Sequence, residues 1–342
     1  MKVSFVTTAI GMRDGARAWD LPTFVRECQV AEDAGFVAAY TGERRGRGPA
    51  SGETGVLYNP DLLCMYGLSH TSSMIFGTHI TLLPLHHPVR VAQDAAIVNA
   101  MYPGRYRLGI GAGYTEDDFR AFGVPLSERA ERMRVGLEAI NAFRHGRPYT
   151  LTGPYQGEVP ELDPAIPGDP VEVYVGAWSR AGVRRAARYG DGYYTGPIRT
   201  VTAEAELADL YRAECAKLGK TPKVVLMREA GIALTDEAAL AMHGDFLLRY
   251  SKLYFSRGGT YEEKYEPWVN QVSGVDEITL DMTRPDRYLC GSVDTWLETI
   301  ESWKKIIDPD ELMIRLRYFY GPDPEKVMDE LRLVGKHVIP VV

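Results

Sequence analysis

The sequence predicts an α/β fold in which eight parallel strands and eight helices form a (β/α)8 TIM barrel. Apolar strand segments alternate with amphipathic helices along the whole chain. Most of these strands are continuous apolar runs, which is typical of strands buried on both faces. The length of 342 residues suits one barrel with insertions. We therefore expect residues 1–342 to form one barrel domain, with insertions after strands two, four and seven.

The elements are predicted from apolar spacing and from end signals. The strands are predicted at residues 2–10, 36–43, 74–85, 105–113, 171–178, 192–197, 223–234 and 311–319. The helices are predicted at residues 20–35, 62–69, 88–101, 126–146, 179–190, 202–219, 290–306 and 323–335. Asp20 is a suitable N-terminal cap for the first helix and Gly35 a suitable stop. Residues 236–290 are predicted to form a helical insertion with several aromatic residues, which we expect to act as a lid over the active site. The alternative is that these aromatic side chains pack a small core of the insertion itself.

A doubly wound dinucleotide-binding domain is the competing fold. Its fingerprint is a glycine-rich turn after the first strand, with the spacing G-x-G-x-x-G. In this chain Gly109, Gly111 and Gly113 follow the spacing G-x-G-x-G and lie on the fourth predicted strand. Both the spacing and the position favour the barrel.

Composition excludes several classes of partner. The net charge of −7 argues against binding to a nucleic-acid backbone. No stretch reaches the roughly 18 apolar residues that a membrane-spanning helix needs. The four cysteines are far apart and form no C-x-x-C pair, so we interpret them as reduced, buried thiols: Cys28, Cys64, Cys215 and Cys290. No metal-ligand cluster is evident. The N-terminus is typical of a strand rather than a signal peptide, and a cytoplasmic protein is expected.

Two stretches carry a resemblance to a known family. The first is "FGTHITLLPLHHPVRVAQDAAIVNAMYPGRYRLGIGAGYTEDDFRAFGVPLSER" (76–129), and the second is "VYVGAWSRAGVRRAARYGDGYY" (173–194). Both resemble the bacterial luciferase-like family of flavin-dependent oxidoreductases, which also includes deazaflavin-dependent members. The closing "GSVDTWLETIESW" and "ELMIRLRYF" resemble the last βα unit of that family.

The resemblance implies a reduced flavin, FMN, at the C-terminal mouth of the barrel, with its phosphate near strand five. The implied cofactor-binding residues are Thr78, His79, Ile80, Gly111, Ala112, Gly113, Gly176, Ala177, Ser179 and Arg180. Glycines let a planar ring approach the backbone, although a tight turn is the other interpretation of Gly111 and Gly113. Ser179 begins a helix, so phosphate binding and simple capping are both open and compatible. The family also implies a non-proline cis peptide at His79–Ile80.

Several positions depart from the family pattern. The luciferase motif E-H-H corresponds to Glu43, Arg44 and Arg45, so the histidine that serves the flavin chemistry is absent. Luciferase has an arginine for the phosphate at the position of Ala112. Many deazaflavin-using relatives have an acidic residue at the position of Tyr114. We take Arg44 and His79 as the catalytic candidates, with Arg44 stabilising negative charge; a core histidine is the alternative for His79.

These features together predict an oxidoreductase with two alternatives. The leading expectation is a two-component monooxygenase that takes reduced FMN from a separate flavin reductase and uses dioxygen on a small, apolar or ring-bearing organic substrate. A deazaflavin-dependent oxidoreductase that transfers hydride is the first alternative. A flavin-binding protein without catalysis is the second. Family members commonly pair through early barrel helices, so we expect a homodimer.

Overall fold

A computed structural model describes residues 1–7, 12–13, 16–17, 20–43, 59–159, 169–256, 261–317 and 321–342. For residues 12–13, 16–17 and 159 it describes the backbone alone. Arg44 and the basic loop that follows Glu43 lie outside these residues, so the prediction for Arg44 stays a prediction.

Eight parallel strands form the closed barrel that the sequence predicted. The strands are β1 (Lys2–Val6), β2 (Ala38–Thr41), β3 (Ile75–Thr78), β4 (Tyr106–Gly111), β5 (Glu172–Gly176), β6 (Gly192–Tyr194), β7 (Val224–Ile232) and β8 (Glu311–Arg315). Each strand pairs with the next, and β8 pairs with β1 to close the ring. Short additional strands lie at Met12–Arg13, Ala16–Arg17, Thr81–Leu82, Tyr149–Leu151, Gly157–Val159 and Leu289–Gly291.

One helix follows each barrel strand and packs around the ring. These helices are α1 (Leu21–Asp33), α2 (Pro60–Leu68), α3 (Pro88–Met101), α4 (Arg129–Phe143), α5 (Arg180–Tyr189), α6 (Val201–Lys217), α7 (Val293–Ile307) and α8 (Pro324–His337). Further helices lie at Glu116–Ala121, Asp236–Ser256 and Leu280–Thr283, and short 3-10 turns lie at Leu83–Leu85, Leu126–Glu128, Pro267–Gln271 and Val275–Glu277. The helix Asp236–Ser256, called the insertion helix below, follows β7.

The end signals of the first helix behave as predicted. The Asp20 side chain accepts a hydrogen bond from the backbone N–H of Thr23 at 2.9 Å, which is an N-terminal cap. Gly35 follows the helix with φ +91°, a conformation that favours glycine. All four cysteines are free and buried, as expected. In the part of the chain that is described, no helix has both the length and the apolar character needed to cross a bilayer.

The third predicted strand is wrong in one respect. It was expected to run unbroken over residues 74–85, but β3 ends at Thr78 and the chain continues through a cis His79–Ile80 peptide to the short strand Thr81–Leu82. The cis peptide that the family resemblance implied is therefore confirmed. Thr78 and His79 interrupt the apolar run at this point, but apolar spacing alone does not show that the strand ends there.

The interior of the barrel is filled by side chains, so the molecule has a mouth with a floor and no pore. Near the amino-terminal end, Arg107 donates to Glu311 at 2.8 Å and to the hydroxyl of Tyr40 at 2.6 Å. Above this layer Tyr174 and Tyr194 stack with ring centroids 5.0 Å apart. Burial and the neighbouring Glu311 raise the pKa of Tyr40, so it stays a neutral hydrogen-bonding group.

Glu32, at the end of α1, holds the loop that leads into β3. Its carboxylate accepts hydrogen bonds from the backbone N–H groups of Ser72, Ser73 and Met74, at 2.9, 2.6 and 2.8 Å to Oε1. Burial alone would raise the pKa of Glu32, but these bonds outweigh it and hold the pKa below its ordinary value. The clamp fixes where β3 begins.

We predict that Glu32→Gln lowers the free energy of unfolding by about 1–2 kcal/mol at pH 7, because the uncharged amide oxygen is a weaker acceptor for the bonds that converge on Oε1. A carboxyl whose pKa is lowered by folding stabilises above its unfolded-state pKa and loses that effect as pH falls. The difference between wild type and Glu32→Gln should therefore shrink between about pH 5 and pH 3. Urea unfolding across this range measures it. The neighbouring, exposed Asp33→Asn is the control, and an equal effect there would contradict the clamp.

Candidate active site at the barrel mouth

The predicted cofactor residues converge on one rim. β4 and β5 are adjacent and parallel, with Ile110 opposite Val175, so Gly111 and Gly176 end side by side. Ala112 and Gly113 follow β4, while Ala177, Ser179 and Arg180 follow β5. The structure thus brings together the glycine run and the hydroxyl at position 179 at the carboxyl ends of the strands, where barrel enzymes place their active sites.

A bulge in strand three supplies a further side chain to this rim. Gly77 pairs with Arg107 and Thr81 pairs with Ile110, so three residues on strand three stand opposite two on β4. One side is held by Thr78, whose hydroxyl donates to the carbonyl of Gly109 at 2.7 Å and accepts from its N–H at 2.9 Å. This extra residue is a β-bulge, a feature that re-aims side chains near active sites.

Ile80 occupies the space that the glycines leave free. A Cβ atom at Gly111 would lie 1.7 Å from the Ile80 Cδ1 atom, whereas one at Gly176 would lie 3.6 Å from Ile80 Cγ2, an ordinary contact. A Cβ atom at Gly109 would lie 1.8 Å from the backbone oxygen of Thr78. Packing around the bulge therefore requires glycine at 109 and favours it at 111. Gly113 has φ +67°, so the turn after β4 requires it as well.

His79 lines the mouth as a neutral ring. Its backbone N–H donates to the carbonyl of Thr41 at 2.8 Å, and its imidazole lies edge-on to Tyr194 with centroids 5.0 Å apart. Burial of the ring and the positive charge of Arg315 lower the pKa of His79 to about 3. At neutral pH the ring is therefore uncharged.

Arg315 is a mouth residue that sequence reasoning missed. It lies on β8 opposite Glu229 on β7, pairs with that carboxylate, and donates to the hydroxyl of Tyr250 at 3.0 Å. Glu229 is fully buried, and the Arg315 side chain is 12% exposed. A charged residue within the apolar strand segment 311–316 was the available signal, because such a residue needs a buried partner.

Ser179 is the N-terminal cap of α5. Its hydroxyl accepts a hydrogen bond from the N–H of Gly182 at 3.2 Å, so the capping interpretation is confirmed. The backbone N–H groups of a first helical turn point outward and carry partial positive charge. Ser179 and Arg180 are exposed beside them, so the geometry suits an anion.

Aromatic side chains cover part of the rim. Tyr114, after β4, and Trp178, after β5, are 39% and 38% exposed, and their ring centroids are 5.3 Å apart. Trp178 packs against Gly196, where a Cβ atom would lie 2.1 Å from the indole nitrogen. Tyr254 of the insertion helix is 3.0 Å from Tyr114, hydroxyl to hydroxyl. Three separate elements therefore meet over one side of the mouth.

The aromatic residues of the insertion divide into two groups. Phe255, Tyr261 and Trp268 pack on one another, with centroids 5.4–6.0 Å apart, and form a small core of the insertion itself. Tyr250 and Tyr254 instead lie against each other, with centroids 4.6 Å apart, and reach Arg315 and the rim. Among the described side chains, no group of three or more His, Cys, Asp or Glu residues could hold a metal ion.

Comparison with known proteins identifies the class. A family model described as luciferase-like monooxygenase matches residues 1–306, and the chain belongs to this family. Over 131 residues the chain is 32% identical to an F420-dependent glucose-6-phosphate dehydrogenase of Nakamurella multipartita, a match that spans 37% of this chain and 38% of the relative.

Solved structures share the fold at low identity. The monooxygenase RslO1 of Streptomyces bottropensis superposes with a TM-score of 0.81 at 18% identity, covering 99% of both chains. The oxygenating constituent of 3,6-diketocamphane monooxygenase of Pseudomonas putida, solved in complex with FMN, has a TM-score of 0.80 at 21% identity and covers 99% of this chain and 98% of that chain. Proteins named for flavin and for F420 both occur among these relatives.

The glycine contacts predict a graded set of substitutions. Gly109→Ala should lower the free energy of unfolding by about 3 kcal/mol or more, because a backbone oxygen cannot move aside. Gly111→Ala should cost about 1 kcal/mol, since the end of the Ile80 side chain can rotate. Gly176→Ala should change little. Urea unfolding of the three variants measures the order, and a reversed order would contradict the placement of Ile80.

Proposed function

We propose that this protein is a flavin-dependent monooxygenase that uses reduced FMN and dioxygen on a small, apolar or ring-bearing organic substrate. The observation that carries the proposal is the joint placement of two surfaces at one mouth. Ile80 lies between the ends of β4 and β5, and three residues separate the end of β5 from the start of α5. A planar ring with a phosphorylated tail needs the surface at Ile80 and the N-terminus of α5 to lie close together.

The residues fit such a cofactor. Gly176 has no heavy atom closer than 3.6 Å to an added Cβ atom, so the backbone there is approachable. Ser179 and the first N–H groups of α5 suit the phosphate. Thr78, Ile80 and the segment 111–113 form the side of the rim that would contact the ring. Reduced FMN, when bound, supplies the electrons that activate dioxygen; a separate flavin reductase would deliver it.

The protein's own groups set the polarity of the mouth. Because His79 has a pKa of about 3, it lines the site as a neutral imidazole and contributes no titration near neutral pH. The charge of Arg315 is balanced by Glu229. Arg44 follows Glu43 at the end of β2, and we keep it as the residue that would stabilise negative charge developed on the cofactor or substrate.

The position of the insertion helix supports its role as a lid over the substrate. The Tyr114–Tyr254 contact joins it to the loop after β4, and Trp178 extends the aromatic surface beside the phosphate position. Aromatic faces of this kind bind planar or apolar molecules. Covering the mouth excludes water from the reacting groups.

A deazaflavin-dependent dehydrogenase is the second candidate function. The relative in Nakamurella multipartita is named as F420-dependent. Anaerobic titration with reduced FMN and with reduced F420 separates the two cofactors. Oxygen consumption after air is admitted then separates oxygenation from hydride transfer. Tight binding of reduced F420 with no binding of reduced FMN would overturn the proposal.

We also propose a homodimer that forms through α2 and α3. Leu62, Ile97 and Met101 on these helices are 64%, 54% and 54% exposed. Exposed large apolar side chains on two neighbouring helices support an interface.

The proposed phosphate position can be tested by introducing a negative charge there. Ser179→Asp keeps an N-terminal cap and even favours the helix dipole, but it places negative charge where the phosphate would bind. We expect it to weaken binding of reduced FMN at least tenfold, whereas Ser179→Asn, also a good cap, should weaken it far less. Anaerobic fluorescence titration gives both dissociation constants. Equal affinities for the two variants would contradict a phosphate at α5.

The lid generates a second prediction. If the hydroxyl contact closes the mouth, Tyr254→Phe should speed dissociation of reduced FMN about two- to tenfold, the value of one hydrogen bond. Tyr114→Phe should do the same, and the double variant should add nothing further. Stopped-flow displacement measures the rates. Tyr265→Phe, also in the insertion, is the control, and additive effects of the first two would show that the hydroxyls act separately.

A further inference from the structure

The bulge in strand three is held on its β4 side by Thr78. On the other side it is held by Glu43, which follows β2. The Glu43 backbone N–H donates to the carbonyl of Ile80 at 3.0 Å. Its carboxylate Oε2 accepts from the N–H of Leu82 at 2.6 Å, and Oε1 lies 2.7 Å from Nε2 of His86. One residue therefore holds the backbone on both sides of position 81 and the turn that leads into α3.

The carboxylate is buried while it does this. The Glu43 side chain is 1% exposed, and the His86 side chain is 27% exposed. A buried carboxylate is tolerated where it receives hydrogen bonds, and bonds to a charged acceptor are stronger than neutral ones. Glu43 is therefore a stiff connection between β2 and the bulge, comparable to the Thr78–Gly109 connection on the β4 side.

The two connections enclose Ile80 and fix its place against Gly111. With a Cδ1 position only 1.7 Å from where a Cβ of residue 111 would lie, the Ile80 side chain fits closely against bare backbone. A small shift of the Ile80 backbone would move this side chain across the surface that faces the mouth. Interactions that lock such a side chain set the geometry of whatever binds on it.

We propose that Glu43 is a positioning residue for the cofactor: it holds Ile80 at the height at which the flavin ring rests on it. The inference rests on the proposed function and extends it to a residue that does not itself touch the cofactor. It assigns a structural purpose to the glutamate of the Glu43-Arg44-Arg45 segment, independent of the histidine that the family motif would place next to it.

The chain contains a matched control for this proposal. Glu330 on α8 is also buried, accepts from the backbone N–H of Ile232 at 3.1 Å, and lies 2.6 Å from Nε2 of His243. Its partners are of the same kind as those of Glu43, one backbone N–H and one histidine ring, but both lie on the single oxygen Oε1, and they hold the insertion helix to the outside of the barrel. Glu43→Gln and Glu330→Gln therefore each neutralise a buried carboxylate paired with a histidine, one beside the mouth and one away from it.

The test compares the two variants in the full-length protein. Thermal unfolding of both variants measures the stability that each loses. Glu43→Gln should weaken binding of reduced FMN about tenfold and change the visible circular dichroism of bound oxidised FMN, which reports the surroundings of the ring. Glu330→Gln should bind within about twofold of wild type with an unchanged spectrum. Equal FMN affinity and spectra for the two variants would overturn the proposal.

A double-mutant cycle tests whether Glu43 acts through Ile80. Ile80→Val removes the Cδ1 atom; in its background Glu43→Gln should have little further effect on FMN affinity. Additive effects would overturn the proposal. If Glu43→Gln does not fold, His86→Phe removes one partner of the carboxylate and should weaken FMN binding by a smaller factor, about threefold, and no weakening would overturn it. If wild type and Glu330→Gln bind neither reduced FMN nor reduced F420, the proposed function fails and the inference falls with it. Tight binding by these two proteins with weakened binding by Glu43→Gln is a different result, which supports the inference.

Discussion

The interruption of the third strand is the constraint on which the rest of the mouth depends. Three residues of this strand stand opposite two of β4, and the extra length turns Ile80 toward the ends of β4 and β5. Thr78 fixes one side of the bulge through Gly109, and Glu43 fixes the other through Leu82. The glycines of β4 follow from this arrangement, because side chains there would collide with the bulge.

The side chains that fill the barrel below the bulge form the floor of the mouth. Arg107 and Glu311 close the lower part, and the stacked rings of Tyr174 and Tyr194 lie above them. His79 rests on Tyr194 as a neutral ring. Arg315, which approaches the mouth, is paired with Glu229. A ligand on this floor therefore meets an apolar and aromatic surface, with the N-terminus of α5 at one side.

The sequence predicted the architecture well because the signals for it are local. Apolar runs, helical spacing and caps such as Asp20 each lie within one element, and the family motif placed the cofactor residues on adjacent strand ends. What it could not supply were partners distant in the chain. Gly111 was interpreted as clearance for a cofactor, but the nearest group is Ile80. Arg315 was missed because its partner Glu229 lies 86 residues away. The role of Glu43 in holding the bulge depends on Leu82, 39 residues away.

The most direct test of the account is a crystal structure of the protein with FMN bound. We expect the ring to lie against Ile80 between the ends of β3, β4 and β5, with the phosphate within hydrogen-bond distance of Ser179 and the first N–H groups of α5. A flavin bound anywhere else, or a phosphate directed away from α5, would contradict it.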